Sequence, residues 1–215
     1  MASIATGYEE STQTSGRAFS RALARFHVSR MLIQIAALLL AVSLAFSYWS
    51  LTLHAPQYPD GLEVTIFTHK VVGDVSEVDG LNHYIGMMPL AEAAEFERSI
   101  AAAATVIIIL AAFVASILRP RWTALLALGV VLFPLVFAAD LYFWLYKAGH
   151  DLDPTAALSS SIKPFTPAII GEGIVGQFST TAYFGVGFWI AIVAAVLATV
   201  GIIGRMRGDT SQAGQ

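Results

Sequence analysis

The sequence predicts an all-α membrane protein. It has four transmembrane helices, both termini cytoplasmic (N-in/C-in), and a small extracytoplasmic cap built from the 1-2 and 3-4 loops. Three observations carry that expectation. The 215-residue chain is 56% hydrophobic and only 13% charged, where soluble domains carry about a quarter charged residues. Four apolar runs approach or exceed the roughly 20 residues that cross a bilayer: Met31 to about Leu53, Ile100 to Leu118, Thr123 to Tyr146, and about Thr181 to Gly204. The basic residues are partitioned. Eight of the 12, Arg17, Arg21, Arg25, Arg30, Arg119, Arg121, Arg205 and Arg207, flank one set of span ends, and Lys70, Arg98, Lys147 and Lys163 lie on the other side. By the positive-inside rule the first set is cytoplasmic.

Residues 1–16 are polar and rich in Ser, Thr and Gly, the composition of a disordered tail. Residues 17–30 read as a basic amphipathic helix on the membrane surface, with Arg17, Arg21 and Arg25 on one i,i+4 stripe. The membrane domain is residues 31–204, and 205–215 form a second cytoplasmic tail. A cleaved signal peptide is an alternative for the first run, since Ala45-Phe46-Ser47 loosely fits a small-x-small site. The run continues through Tyr48, Trp49 and Leu51, which favours an uncleaved span with an interfacial anchor.

The first outer segment spans residues 54–99. Pro56, Pro59 and Asp60-Gly61 mark turns, and Leu62, Val64 and Ile66 alternate with Glu63 and Thr65 in a strand pattern. A second strand including Val71 and Val72 would complete a short β-hairpin. A helix is expected from Pro89 straight into the second span, with Glu92 and Glu95 in its first turns. In the third span Pro134 suggests a kink, and Asp140 is an intramembrane acid. The second outer segment, residues 147–180, is too rich in Pro and Gly for a long helix and is expected to fold against the first as a cap. Gly185 and Gly187 allow close helix packing in the fourth span.

The chemistry concentrates in Gly80-Leu81-Asn82-His83-Tyr84-Ile85-Gly86-Met87-Met88-Pro89. Copper(I) takes thioether and imidazole, and copper(II) takes imidazole and oxygen. The chain has no cysteine, so a soft ligand must be Met. His83 and Met87 are the candidate ligands, with His150 or His69 completing the site and Asp79, Asp151 or Asp153 as oxygen donors or imidazole orienters. His54 and Met88 are further candidates. In a helix His83 and Met87 would share a face, while Gly86 and Pro89 favour a tight loop. The competing reading is that these side chains pack and hydrogen-bond within a folded loop. Asp140 could pass a cation or proton, or lie near the headgroups bonded to Tyr48, Tyr142 or a loop amide.

These residues also carry a resemblance. Asp79 to Met87, with Gly149-His150-Asp151-Leu152-Asp153-Pro154 and Pro164-Phe165-Thr166-Pro167, resembles a poorly characterised family of small bacterial membrane proteins with an LNHYIGM-type outer loop. Such proteins are encoded beside genes for nitrous oxide reductase maturation and other cuproenzymes. The resemblance covers both outer segments, nearly half the chain. It implies copper delivery or cuproenzyme assembly, with His83, Met87, His150, Asp151 and Asp153 as the residues carried over.

The expected function is therefore an accessory, non-enzymatic protein of the bacterial inner membrane that binds copper at its extracytoplasmic face. Its expected partners are the bilayer and other membrane or periplasmic proteins. The net charge of −3 argues against nucleic acid. The rivals are a non-catalytic docking subunit of a respiratory or photosynthetic complex and an ion or proton pathway through Asp140. No phosphate-binding glycine loop, C-x-x-C-H or H-E-x-x-H motif is present, and the spans carry no His for haem.

Overall fold

The computed structural model describes residues 27–118, 120–158, 161–175 and 178–207. The expected polar tail, the Arg17, Arg21 and Arg25 stripe, Arg119 and the tail beyond Arg207 lie outside the described residues. In chain order the elements are α1 (His27–Ser43), β1 (Trp49–Ala55), β2 (Tyr58–Ile66), β3 (Val71–Gly73), α2 (Val75–Ile85), α3 (Glu95–Ile117), a 3-10 turn (Arg121–Ala127), α4 (Leu128–His150), β4 (Gly171–Val175), β5 (Phe178–Phe184) and α5 (Val186–Arg207).

The all-α, four-span expectation is overturned. The chain folds a five-stranded antiparallel sheet, ordered β3-β2-β1-β5-β4. Among the described residues three helical stretches are long and apolar enough to cross a membrane: Glu95–Ile117, Arg121–His150 and Val186–Arg207. The helix α1 is shorter. The error has a physical source. Hydropathy averages over periodicity, and past Ser43 the first apolar run changes period from 3.6 to 2. Trp49, Leu51, Leu53 and Ala55 take one face of β1, while Ser50, Thr52 and His54 take the other. The start of the expected fourth span likewise belongs to β5, whose inner face is Phe178, Thr180, Ala182 and Phe184.

The expected hairpin strands exist as β2 and β3, paired Val64↔Gly73 to Ile66↔Val71. Three strands complete the sheet around them. Strand β1 pairs with β2 (Thr52↔Glu63, Leu53↔Leu62) and, on its other side, with β5 from Trp49↔Phe184 to His54↔Ser179. The last pairing joins residues 125 to 135 positions apart and lies beyond any local signal.

Two tight junctions tie the sheet to the helices. Gly185 N–H donates to the Tyr48 carbonyl (2.9 Å) and Gly187 N–H to the Ser47 carbonyl (2.8 Å). A Cβ on Gly185 would lie 2.4 Å from the Ser47 oxygen, and one on Gly187 would lie 2.8 Å from the carbonyl oxygens of Phe46 and Ser43. The chain leaving α1 and the chain entering α5 therefore touch backbone to backbone. Trp49 at the foot of β1 is 2% exposed, and its indole N–H donates to the Ile169 carbonyl (2.7 Å).

The helices pack through small side chains. Ala36, Ala37, Ala112, Ala115, Ala124, Ala127, Ala191, Ala194 and Ala198 are fully buried, whereas Ile107, Leu110, Leu135, Val136, Val193 and Val196 are more than half exposed. Small residues inside and large apolar residues outside suit lipid, where helices gain from close backbone approach rather than from hiding apolar surface from water. At the end far from the sheet, Arg205 donates to the carbonyls of Ala115, Leu118 and Pro120 and to Thr123 Oγ1. That cation satisfies the carbonyls left open at the C-terminus of α3 and fastens α5 to it.

Two local expectations are corrected. The helix after Pro89 is not continuous: residues 90–94 form a turn, and α3 begins at Glu95 after Ala94 at φ +53°. The helix α2 has no strong local signature, because Val, Gly80, Asn and His are indifferent or poor helix formers. It forms because Val78, Asn82 and Ile85 share one buried stripe.

The junction geometry makes a test. Gly185→Ala drives a Cβ into the Ser47 carbonyl, an overpacking worth about 1–3 kcal/mol. Thermal unfolding in detergent is expected to show a lower midpoint than the parent. An unchanged midpoint would mean the junction is not tight.

Candidate functional site

The inner face of the sheet is covered by two different partners. Towards its membrane-distal side, Leu53, Leu62 and Val64 pack on Val78, with Leu81 and Leu90 alongside. At its foot, Trp49 and Ala182 pack on Leu141 and Leu145 of α4. Between these clusters the sheet, α2 and the near ends of α3 and α4 enclose an apolar chamber of about 150 Å³. Aromatic rings from Trp49, Phe67, Phe137, Trp144 and Phe178 contribute to its wall. The chamber follows α4 down to Phe137, well inside the membrane-length part of that helix.

A few polar groups interrupt this wall. Asp140 of α4 and Glu97 of α3 both line it and lie close enough to interact as charges. Arg98 also reaches the wall, but its guanidinium is spent on the Ala91 and Ala94 carbonyls. Two buried donors have no hydrogen-bond partner among the described residues, Trp144 Nε1 and Thr180 Oγ1. Thr180 is 3% exposed and both residues line the chamber. Asp140 stands one turn before Trp144, and its carboxylate interacts with the indole N–H at the margin of hydrogen-bonding geometry.

The residues expected to hold copper do not converge. Met87 and Met88 line the chamber, whereas His83 in the last turn of α2 is exposed. The helix ends between them: Gly86 caps α2 in the left-handed region at φ +81°, so no shared i,i+4 face exists. His150 stacks on Tyr146 at 3.9 Å, and its Nδ1 lies 2.9 Å from the Tyr146 carbonyl oxygen. His69 is in the exposed turn after β2, 6.3 Å from the Phe67 ring, and His54 is exposed on the outer face of β1. Asp151 is exposed beyond α4. No three His, Asp or Glu side chains group to hold a metal among the described residues. Asp140 meets Glu97 and Trp144 rather than Tyr48 or Tyr142.

Several of these groups have structural work instead. Asp79 accepts from the Leu90 N–H (2.6 Å) and Ala91 N–H (3.3 Å), fixing the turn that delivers α3. Asp153 accepts from Thr155 N–H (2.8 Å) and Thr155 Oγ1 (2.7 Å). The two outer segments do fold together, as expected: Asp153 N–H donates to the Gly86 carbonyl and Leu158 N–H to the Tyr84 carbonyl. A Cβ at Gly86 would sit 2.7 Å from the Asp153 carbonyl oxygen. The Gly86 position is thus held by backbone shape and a neighbouring strand of chain, independently of any metal.

Comparison with protein-family models and with curated proteins finds no match to this chain. The chamber residues that sequence reasoning missed are Glu97, Trp144 and Thr180. Asp140 and Trp144 are four residues apart on one helix, a visible signal. Thr180 was hidden because the stretch around it read as the start of a span.

Hydrogen bonds from Thr155, with help from nearby His83, hold the Asp153 carboxyl below its ordinary value of 3.8. A lowered folded pKa gives stability that is present above the unfolded pKa and lost as pH falls through the folded one. Hydrogen exchange at the Leu158 amide is therefore expected to be pH-independent in protection above about pH 4 and to lose protection below it, with the loss absent in Asp153→Asn. Identical acid profiles in both proteins would contradict the assignment.

Proposed function

We propose that this is a non-catalytic accessory protein of the bacterial inner membrane that takes an apolar ligand into the chamber between its cap and its helices. The observation that carries this reading is the chamber itself: a concave, mostly apolar wall with a few convergent polar groups, formed by four separate elements at the membrane boundary. The cap is extracytoplasmic and both termini are cytoplasmic. Support comes from Arg121, Arg205 and Arg207, which cluster at the helix ends opposite the sheet.

The test uses a neutral alkylbenzene as probe. It is expected to raise the thermal midpoint of the detergent-purified full chain, because a ligand that binds only the folded state stabilises it. Ala148→Phe, which puts a ring into the wall from a buried position, is expected to fold and to lose most of the shift. Equal shifts in parent and variant would sink the reading.

Copper handling stands as a second reading, favoured by the two thioethers of Met87 and Met88 on a wall that also carries the Glu97 and Asp140 carboxylates. In that reading the partner is a periplasmic or membrane cuproenzyme. Copper(I) loading of the purified protein is expected to be near stoichiometric and to fall several-fold in a Met87→Leu/Met88→Leu variant. Unchanged loading would remove Met87 and Met88 from the account.

A further inference from the structure

Where the chamber meets the bilayer narrows what can enter it. About 20 residues cross the hydrocarbon. Counted back from Ile117 along α3 they end at Arg98, and counted on from Arg121 they end at Asp140. Glu97, Arg98 and Asp140, all on the chamber wall, therefore stand at headgroup level. The wall is open there: Glu97, Phe137 and Asp140 are only part-buried, whereas Leu141, Leu145 and Ala148 farther along α4 are buried. The chamber thus has its mouth at the membrane surface and its closed end beneath the sheet. From Phe137 to Ala148 its wall follows α4 for roughly 16 Å. A volume of about 150 Å³, which in compact form holds one benzene, is here drawn out into a slot. A slot of that length and volume fits one extended hydrocarbon chain, not two chains or a fused ring system. Charge of both signs stands at the mouth: the carboxylates of Glu97 and Asp140, close enough to interact with each other, and the guanidinium of Arg98.

We propose that the chamber takes one acyl chain of a zwitterionic aminophospholipid, turned up out of the outer leaflet, while the lipid's ammonium meets Glu97 and Asp140 and its phosphate faces the Arg98 charge. The inference rests on the chamber being a ligand site. A primary ammonium carries three donors and no acceptor, so it can serve both carboxylates at once. A glycerol head leaves the lipid anionic and sets that charge beside the two acids. A choline head keeps the positive charge but has no N–H to give. The second acyl chain stays in the bilayer, so the lipid is held at the membrane surface with one chain inside the protein, and its net charge is zero.

The experiment reads the fluorescence of Trp49, which lines the chamber and is 2% exposed, so that lipids around the protein do not touch it. The full chain, with Trp122→Phe/Trp144→Phe/Trp189→Phe leaving Trp49 as its one indole, is placed in phosphatidylcholine nanodiscs. Chain-brominated phosphatidylethanolamine, phosphatidylglycerol or phosphatidylcholine is then added in increasing fraction. The brominated ethanolamine lipid is expected to quench Trp49 at about tenfold lower fraction than the glycerol lipid, the worth of one hydrogen bond to a charged group. Glu97→Gln/Asp140→Asn is expected to abolish that preference while quenching persists. Ala148→Phe, which fills the slot, is expected to lose most of the quenching by every lipid, its thermal midpoint reporting that it folds. Equal quenching by all three heads, unchanged in the double variant, would overturn the head recognition, as would stronger quenching by the glycerol lipid. If no brominated lipid quenches Trp49 while the alkylbenzene still raises the thermal midpoint, the acyl chain is excluded and the apolar site stands. If neither probe acts, both readings fall.

Discussion

The β1–β5 ladder is the constraint on which the rest depends. One of its strands follows directly from α1 and the other runs directly into α5, and the two junctions touch through Gly185 and Gly187. The sheet therefore cannot rock on the α1–α5 pair. On the side of α3 and α4 the tie is to a loop rather than to a strand end: Phe165 N–H donates to the Gly149 carbonyl, and a Cβ on Gly149 would run into the Phe165 carbonyl. There the chain arrives through the turn at residues 90–94 and leaves through the segment after His150, so the sheet overhangs the near ends of both helices. Trp49, Leu141, Leu145 and Ala182 fill part of the overhang, and the chamber is the remainder. Direct strand-to-helix attachment on one side and attachment through loops on the other is a physical route to a cavity in an otherwise close-packed protein.

The far end of the bundle shows the opposite solution. Arg205 binds three carbonyls and a hydroxyl contributed by α3 and the turn after it, and the alanine faces of the helices meet without a large side chain between them. Helix packing is thus tight where the arginines cluster and open where the cap begins. The segment Val78 to Met88 serves that opening. Its helical half lays Val78 and Ile85 under the sheet, its glycine ends the helix against the Asp153 backbone, and its methionines turn into the chamber wall.

Much of this was legible in the sequence, and the failures share a cause. Continuous apolar runs announced α3, α4 and α5, and the alternation of Leu62, Val64 and Ile66 announced β2. Strands β1 and β5 were absorbed into neighbouring spans because strand and helix residues adjoin without a polar break; only the alternation of Trp49, Leu51 and Leu53 with Ser50, Thr52 and His54 marked the change. The helix α2 was unreadable because tertiary burial, not propensity, makes it. Grouping His83 with Met87 assumed that nearness in sequence means nearness in direction, and the αL cap at Gly86 breaks that link. The docking of one outer segment on the other was anticipated, yet the chamber needed the β1–β5 pairing, which no local pattern encodes.

The central claim is that the chamber binds a neutral apolar molecule. The most direct test is native mass spectrometry of the full chain released from mild detergent after purification from its own membranes. The account predicts one neutral amphiphile carried at close to one per chain and absent from the chamber-filled Ala148→Phe protein. A parent that carries nothing, or the same mixed lipid profile on both proteins, would contradict it.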